Sequence, residues 1–366
     1  MRVQVVDPSA FTPPYDRALC AALARAGASV ELITSHFAYG ELPAPEGYAV
    51  RELFYGRAAG PPGSRRRRAA KLAGHLPAML RYRLVAAGAD VVHFQWLTLP
   101  WLDVALLPAR PLVLTAHDLL PREPRLGQTA AQRRLLDRVD AVVVHSRYGR
   151  AQLVERGGVP AEKVRVIHHG AFAPGAAGAL PAELDASGPF AVPVVLFFGL
   201  LRPYKGLDTL LAAWRGIAGA ELWIVGRPMM DLAPLRAAAP PGVRWVTRFV
   251  ADREAAALMA RADVVVLPYA RTERFDQSGV LAAALGAATP AIVTDIGGFS
   301  EIADIGAASL VAPRDPVALH DALAALIGDR EARAQMAAAA RAAAAGPYSW
   351  DAAAAATLAL YGELVP

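Results

Sequence analysis

The segment Phe198–Gly206, with the sequence FGLLRPYKG, is the most informative stretch of this chain. It overlaps the end of the apolar run Val194–Phe198, so a glycine and two cations stand where a buried strand ends. Open α/β sheets bind ligands at the carboxyl ends of their strands, and a helix beginning near Leu207 adds backbone N–H groups there.

Arg202 can hold phosphate oxygens through its planar fork, and Lys205 supplies a compact charge three residues later. The segment predicts a phosphate or diphosphate site. A solvated turn between a strand and a helix is the alternative when the segment is taken alone.

Strand-like apolar runs alternate with helical stretches along the chain, a pattern typical of parallel sheets. The first series comprises Val3–Val6, Val30–Thr34, Asp90–Phe94, Leu112–Ala116, Ala141–His145 and Val164–Ile167. The second comprises Val194–Phe198, Glu221–Val225, Val243–Val246, Val264–Leu267, Ala291–Thr294 and Ser309–Ala312. The 366 residues exceed the length at which a single core stops growing. We therefore expect an α/β protein with two Rossmann-like, doubly wound parallel-sheet domains that face each other across a cleft.

The two series also set the expected domain boundaries. Residues 1–173 form the amino-terminal domain, 174–189 form a linker rich in Gly, Ala and Pro, and 190–346 form the carboxyl-terminal domain. Residues 347–366 form a last helical stretch, which Pro347 separates from the helix-forming residues before it. Neither half carries a G-x-G-x-x-G turn after its first strand, so a nicotinamide-dependent function is disfavoured.

Composition and charge narrow the class of protein. The net charge of +5 allows anionic partners, but no nucleic-acid-binding motif accompanies it, so nucleic acid is not an expected partner. No apolar run reaches the roughly 18 residues of a membrane span, and the amino terminus lacks the apolar core of a signal peptide. We therefore expect a cytoplasmic protein. Its single cysteine, Cys20, cannot form an internal disulfide and should lie in the core.

The densest positive charge lies in the segment Ser64–Arg83. Arg65–Arg68 precede apolar residues at roughly helical spacing. A basic face beside an apolar one suits an anionic membrane surface, which predicts peripheral association with the inner face of the membrane through these arginines. A solvated helix face or a basic loop is the alternative, since the sequence GPPG at Gly60–Gly63 precedes the arginines.

A second polar segment, Leu267–Glu301, supplies a strand, a polar loop, an alanine-rich helix and another strand. The residues at the start of this helix should turn N–H groups toward the sheet edge that carries Arg202 and Lys205. These residues are Gln277, Ser278, Gly279 and Val280. We expect both clusters of donors to face one ligand.

Together these motifs resemble the family-four retaining glycosyltransferases, which have the GT-B fold. The matching residues of the carboxyl half are Gly199, Arg202, Lys205, Gly206, Leu267-Pro268, Ser278-Gly279, Ala288-Thr289-Pro290, Gly297-Gly298 and Glu301. Those of the amino half are Thr115-Ala116-His117-Asp118, His145-Ser146 and His169-Gly170. The resemblance covers nearly the whole chain. It extends to the last helix, which crosses back to the amino-terminal domain in this family.

The resemblance implies transfer of a sugar from a nucleotide diphosphate sugar with retention of anomeric configuration. No cofactor or metal is expected, because cationic side chains and helix N–H groups can neutralise a leaving diphosphate. The sequence also lacks a clustered Asp/His metal site. By the resemblance, His117 meets the donor sugar, so the expected catalytic residues are His117, Arg202 and Lys205. The alternative for His117 is a structural histidine after a strand.

Donor-binding residues also follow from the resemblance. Gly199 borders the phosphates, and the nucleobase is expected near Arg227 and Phe249. The family usually places two glutamates, separated by seven residues, against the sugar and the ribose, but here these positions are Phe275 and Ala283. Two acids close to the first position could replace it: Glu273 and Asp276. No nearby residue replaces the second glutamate, so the ribose contact differs from the family pattern.

The acceptor is less well defined. Tyr15 and Trp96 follow strands of the amino half and are expected on the acceptor side, with core packing as the alternative for Trp96. The sequence names neither the sugar, the base nor the acceptor, which could be lipid-linked, a glycan or a small molecule. Two other functions stay open. One is a catalytically weak or inactive nucleotide-sugar-binding protein, suggested by Ala283, and the other is a GT-B sugar epimerase.

Overall fold

The computed structural model describes residues 1–56, 60–61, 64–119, 128–173, 175–184, 192–270 and 277–365. The chain divides into two compact units. The amino unit contains Met1–Gly170 and Trp350–Pro366, and the carboxyl unit contains Ala171–Glu273 and Gln277–Ser349. The predicted linker, residues 174–189, falls partly outside the described residues.

The amino unit is built on a seven-stranded parallel sheet. Its strands are β1 (Arg2–Asp7), β2 (Ser29–Ser35), β3 (Ala49–Phe54), β4 (Val91–Phe94), β5 (Leu112–Thr115), β6 (Ala141–Val144) and β7 (Val164–Val166). They lie in the order β3-β2-β1-β4-β5-β6-β7. Every residue of β4, β5 and β6 is buried, as expected for apolar strands covered on both faces. The six predicted strands are confirmed, with no end shifted by more than one residue.

β3 is the strand that the apolar pattern missed. It lies at the edge of the sheet, and the first four of its six residues are exposed. An edge strand needs no continuous apolar run, because water solvates its free side. Its sequence, AVRELF, therefore gave no strand signal.

Among the described residues, five α-helices of the amino unit precede the carboxyl unit in the sequence. They are α1 (Pro13–Arg25), α2 (Arg65–Ala86), α3 (Pro100–Leu106), α4 (Gln128–Arg138) and α5 (Arg147–Ala151). α1 and α3 begin with proline, whose fixed φ suits the first helical position. Ser64 caps the amino end of α2, and its Oγ accepts a hydrogen bond from the Arg67 N–H at 3.2 Å.

The carboxyl unit is built on a six-stranded parallel sheet. Its strands are β8 (Val194–Phe198), β9 (Glu221–Val225), β10 (Val243–Val246), β11 (Val264–Leu267), β12 (Ala291–Thr294) and β13 (Ala308–Val311), in the order β10-β9-β8-β11-β12-β13. Its helices are α6 (Leu207–Ala213), α7 (Ala233–Ala238), α8 (Asp252–Arg261), α9 (Gly279–Gly286), α10 (Phe299–Asp304), α11 (Pro316–Gly328) and α12 (Arg330–Ala345). All six predicted strands are confirmed.

Strand order reverses direction once in each sheet, between β1 and β4 in the amino unit and between β8 and β11 in the carboxyl unit. Open α/β sheets bind ligands at the carboxyl ends of the strands beside such a reversal. The loops after β1, β4, β8 and β11 are therefore the places where the fold favours a site.

The last helix, α13 (Trp350–Leu364), belongs to the amino unit and packs on α1. The Tyr361 hydroxyl lies 2.6 Å from Nδ1 of the buried His93 on β4. An exposed ion pair of 2.7 Å joins Arg25 to Asp351. The end of the chain thus completes the core of the amino unit.

Within the described ranges, no helix combines the length and the apolar character needed to cross a membrane.

Candidate active site

The turn after β8 depends on two glycines with left-handed backbone. Gly199 has a φ of +107°, and a Cβ at this position would lie 2.9 Å from Nζ of Lys205. Gly206 has a φ of +68° directly after the short 3₁₀ turn Pro203–Lys205, and a Cβ there would overlap the carbonyl oxygen of Pro268. The two glycines therefore fold the segment back on itself and bring the ammonium group of Lys205 to the carboxyl end of β8.

Tyr269, which follows β11, connects Lys205 to the start of α9. Nζ of Lys205 lies 5.0 Å from the centre of the Tyr269 ring, a favourable cation–π distance. The Tyr269 hydroxyl lies 3.3 Å from Oγ of Ser278. Lys205, Tyr269 and Ser278 are all buried. The reversal between β8 and β11 thus carries a buried cation beside a helix start, as the two sequence motifs predicted.

The first turn of α9 offers backbone donors at the same place. Oγ of Ser278 accepts a hydrogen bond from the Val280 N–H at 3.3 Å, and the Ser278 N–H donates to Oε1 of Gln277 at 3.0 Å. Cγ2 of Val280 would lie 3.2 Å from a Cβ at Gly199, so the helix start contacts the turn after β8. Gly279 leaves the first turn open to solvent. The positive end of the helix dipole favours an anion there.

Arg202 lies half-buried just before the 3₁₀ turn. None of the carboxylates in the described ranges pairs with it. The Leu201 N–H donates to the Arg227 carbonyl at 3.0 Å, which joins the turns after β8 and β9. Arg202 and Arg227 therefore follow the ends of neighbouring strands.

The loop after β10 exposes an aromatic ring next to a fixed arginine. The Phe249 side chain is 46% exposed, which suits stacking with a planar base. Arg248 forms ion pairs with Glu183 at 2.9 Å and with Glu254 at 2.7 Å, and these hold the loop. Phe249 stays a prediction for base binding.

Two of the predicted donor residues, Glu273 and Asp276, lie outside the described residues. Ala283 lies half-buried on α9, where the family places its second glutamate. That position supplies no carboxylate for a ribose.

A cluster of imidazole and aromatic rings lies at the carboxyl edge of the amino-unit sheet. The buried Tyr15 ring is at its centre, 4.6 Å from the His117 ring, 5.3 Å from His145, 4.9 Å from His169 and 5.1 Å from Trp350. The three histidines follow β5, β6 and β7, and Trp350 begins α13. The histidines of the three amino-half motifs are therefore brought together around one tyrosine.

His117 is oriented by two neighbours from the loop after β4. Its ring stacks on Trp96 with the centres 5.1 Å apart and the planes 14° from parallel. Nε2 donates to Oε1 of the buried Gln95 at 3.0 Å. Burial holds the pKa of His117 well below its usual value, and the nearby His145, His169 and His93 lower it further. His117 is therefore a neutral imidazole at pH 7, with the Nδ1 lone pair left as an acceptor.

The two residues predicted on the acceptor side differ in exposure. Tyr15 is buried, and burial raises the pKa of its hydroxyl, with the nearby Asp16 adding to the effect. Trp96 is half-buried, and its Nε1–H donates to Oγ1 of Thr12 at 2.9 Å. The edge of Trp96 meets Phe11, whose side chain is 57% exposed. Trp96 thus presents an aromatic surface beside His117, whereas Tyr15 packs behind it.

A hydrogen-bonded Tyr–His–Asp chain near the end of β3 was not anticipated from the sequence. The Tyr55 hydroxyl lies 2.5 Å from Nδ1 of His75, and Nε2 of His75 lies 2.5 Å from Oδ1 of Asp103. Asp103 also accepts from the Leu99 N–H at 2.8 Å. All three side chains are buried, and Tyr55 has a φ of +52°, which is strained for a tyrosine. No paired spacing marks His75 as a ligand, because its partners lie more than 15 residues away on either side.

Polar groups surround the Tyr55 ring. Nζ of Lys71 lies 4.8 Å from the ring centre, and Oγ of Ser9 lies 3.1 Å from Oγ1 of Thr98. Burial lowers the pKa of Lys71, and the charge of Arg67 lowers it further. Three hydroxyls and one desolvated ammonium group therefore gather at the carboxyl ends of β1, β3 and β4.

Among the described residues, no group of three or more His, Cys, Asp or Glu side chains could hold a metal ion.

The buried histidines should make the amino unit sensitive to acid. Burial lowers the pKa of His93 and His145 to about 3 and that of His169 to about 4. The unfolded chain, with histidine pKa values of about 6.5, binds protons first as the pH falls, so stability is complete above pH 6.5 and is lost below it. We expect the free energy of unfolding to fall by about 2 kcal/mol per buried histidine between pH 7 and pH 5.

Urea unfolding of the wild type and of His93→Gln at pH 7 and at pH 5 measures how much of this loss comes from His93. His36→Gln is the control, because the His36 ring is exposed. The His93 variant should lose less stability than the wild type between the two pH values. An equal loss in both proteins would contradict the neutral state of His93.

Two family models match the chain. Residues 17–171 match glycosyltransferase family 4, and residues 192–329 match glycosyl transferases group 1. A D-inositol 3-phosphate glycosyltransferase of Xylanimonas cellulosilytica is 31% identical over 75% of this chain and 72% of its own length. The protein of the same name from Nocardia farcinica is 29% identical over 66% of this chain, and the match spans 58% of that relative's length.

Solved structures share the architecture. Sucrose-phosphate synthase from Thermosynechococcus elongatus matches with a TM-score of 0.77 at 21% identity, over 100% of this chain and 99% of that one. Anabaena HepE in complex with UDP and glucose matches with a TM-score of 0.74 at 19% identity, over the full length of both chains. Two parallel-sheet α/β units with these likenesses define the GT-B fold. The chain belongs to glycosyltransferase family 4.

Proposed function

We propose that the chain is a retaining glycosyltransferase that moves a sugar from a nucleotide diphosphate sugar to an acceptor, without a metal or cofactor. The observation that carries this proposal is the convergence of Lys205, the turn at Gly199 and the start of α9. A buried ammonium group beside a helix start stabilises a dianion, and such a site gains most as negative charge grows on a leaving diphosphate. Arg202 adds a planar fork for the same oxygens. The binding of UDP and glucose by Anabaena HepE supports a nucleotide-sugar donor.

In this proposal His117 acts on the transferred sugar. Stacking on Trp96 and the hydrogen bond to Gln95 fix the plane of its ring, so one nitrogen keeps a set direction. A neutral imidazole can hydrogen-bond a sugar hydroxyl or polarise the reacting centre without adding charge near the phosphates. The amino-half match to the family model, which includes His117, supports this role.

The acceptor is proposed to be a polyol that bears a phosphate. The names of the curated relatives, which specify D-inositol 3-phosphate, support this class. So does the chemistry near Tyr55, whose hydroxyl has the Ser9 and Thr98 hydroxyls as neighbours and whose ring lies 4.8 Å from the ammonium group of Lys71. Trp96 offers an aromatic face to the ring of such a molecule. A lipid-linked acceptor or a glycan would present similar groups.

Peripheral association with the inner face of a membrane is also part of the proposal. Arg65–Arg68 form the first turn of α2, and Arg65, Arg66 and Arg68 are exposed. Clustered exposed arginines attract anionic headgroups.

Nucleotide binding and product formation test the proposal together. We expect uridine, guanosine or adenosine diphosphate to raise the thermal midpoint of the protein, because a ligand that binds the folded state stabilises it. The matching nucleotide sugar should then release nucleoside diphosphate faster when inositol phosphate is added. A protein that binds no nucleotide and hydrolyses no donor is not a glycosyltransferase of this kind.

Metal independence has its own test. Turnover should be the same with and without excess EDTA, because Arg202, Lys205 and the α9 N–H groups carry the charge of the leaving diphosphate. The control is the same assay with added magnesium. Loss of turnover in EDTA that magnesium or manganese restores would overturn this part of the proposal.

A nucleotide-sugar-binding protein without transferase activity is the second candidate, favoured by Ala283 at the position of the family's ribose glutamate. A thermal shift with a nucleotide, together with no turnover of any donor, would support it.

A further inference from the structure

Helix α2 carries a row of exposed leucines. The side chains of Leu72, Leu76, Leu80 and Leu84 are 61%, 44%, 48% and 79% exposed. Residues four apart lie on one side of a helix, so the four leucines form a continuous stripe, here called the leucine stripe, about 18 Å long. Water solvates leucine poorly, so an exposed row of this length indicates an interaction surface.

The helix cannot turn to hide this stripe. A different face of α2 packs into the core of the amino unit through His75, Met79, Tyr82 and Ala86, all of which are at most 1% exposed. His75 is also held by the hydrogen bonds to Tyr55 and Asp103. The leucine stripe is therefore fixed at the surface.

The charge of α2 is of one sign. Its 22 residues hold seven Lys and Arg side chains and no Asp or Glu. The exposed cations are Arg65, Arg66, Arg68, Arg81 and Arg83, which lie at both ends of the leucine stripe. A second copy of α2 would bring seven like charges against seven, which opposes self-association. Nucleic acid would satisfy the arginines but leave the leucines in water.

An anionic lipid bilayer satisfies both features, because it offers acyl chains to leucine and phosphates to arginine. We propose that α2 lies along an anionic membrane, with the leucine stripe inserted below the headgroups and the arginines on the lipid phosphates. This deepens the peripheral association in the proposed function by naming its surface and orientation. It requires neither donor nor acceptor to be bound.

Sedimentation with vesicles tests the electrostatic part. The full-length protein should bind vesicles of phosphatidylglycerol and phosphatidylcholine in a one-to-two ratio at low salt, and it should be released at high salt. Arg66→Gln/Arg68→Gln should lower the partition coefficient about 25-fold, since each cation contributes about fivefold. The matched control is Arg133→Gln/Arg134→Gln, which removes the same charge from exposed residues of α4.

Insertion is tested separately. Leu76→Gln/Leu80→Gln should lower binding at least about tenfold, whereas Val317→Gln, at a side chain 68% exposed on α11, should not. An environment-sensitive fluorophore on Leu80→Cys should shift to the blue with vesicles, and one on Val317→Cys should not. The native Cys20 is buried, so the label goes to the new thiol.

Four outcomes would overturn the proposal. One is that the protein does not bind anionic vesicles at low salt. Another is that the α2 and α4 arginine variants lose vesicle binding equally. The third is unchanged binding and fluorescence in the leucine variants. Dimerisation in vesicle-free solution that Leu76→Gln/Leu80→Gln abolishes would assign the stripe to a second copy instead. The nucleotide-induced thermal shift of each variant should equal that of the wild type, which separates this result from any failure of the donor site.

Discussion

Replacing Lys205 with methionine should weaken the binding of a nucleoside diphosphate about 10- to 150-fold, which corresponds to about 1.5–3 kcal/mol for a hydrogen bond to a charged group. Lys205 is 6% exposed, so its charge meets little water and methionine can fill most of its space. Lys205→Ala and Arg202→Ala should lose affinity in the same range. Turnover should fall with affinity, because in the proposed function both cations bind the diphosphate, whose charge grows in the transition state.

Titration calorimetry with the nucleotide found by thermal shift measures this effect. The matched control is Arg215→Gln, which removes one exposed positive charge from the same unit and should bind like the wild type. Each variant must keep the far-ultraviolet spectrum of the wild type. Wild-type affinity in folded Lys205→Met and Arg202→Ala would remove both residues from the site.

Replacing His117 with alanine should lower turnover about 100- to 1,000-fold and change nucleotide affinity less than about threefold. A large loss of turnover with little loss of nucleotide affinity is expected of a group that acts on the reacting centre rather than on the bound nucleotide. Because the pKa of His117 is held well below its usual value, turnover should show no histidine titration near pH 6.5.

Gln95→Glu gives a second measurement of the same group. A carboxylate 3.0 Å from Nε2 should raise the pKa of His117, so turnover should become dependent on pH within the neutral range. His36→Ala, at an exposed ring, is the control for loss of an imidazole. Unchanged turnover in His117→Ala would leave the ring a structural role under Trp96.

Sequence patterns predicted the buried parts of the fold well. Parallel strands covered on both faces need apolar runs, so Val264–Leu267 and Ala291–Thr294 were predicted to the residue. The edge strand β3 has no such requirement and was missed. The helix break near Pro347 was also predicted, because proline chemistry acts locally.

The candidate site was predictable where its residues are contiguous. Gly199, Arg202 and Lys205 stand in one segment, so strand, turn and charge could be read together. Tyr269 gave no signal because a tyrosine after an apolar strand has the appearance of a core residue. Tyr55, His75 and Asp103 meet only through the topology of the sheet, and no local spacing could reveal them. The roles of these residues in substrate binding stay predictions.

The contact between His93 and Tyr361 joins residues 268 positions apart, and the entire carboxyl unit is encoded between them. On the ribosome, amino-terminal domains usually fold as soon as they emerge. Here β4 must wait until the carboxyl unit and α13 have been translated before its histidine meets its tyrosine. The amino unit is therefore begun before the carboxyl unit and completed after it. A chain that stopped before α13 would lack both Trp350 and Tyr361. His93 would then lose Tyr361, and Tyr15 and His169 would lose Trp350. Chaperones and proteases can recognise such an incompletely packed state.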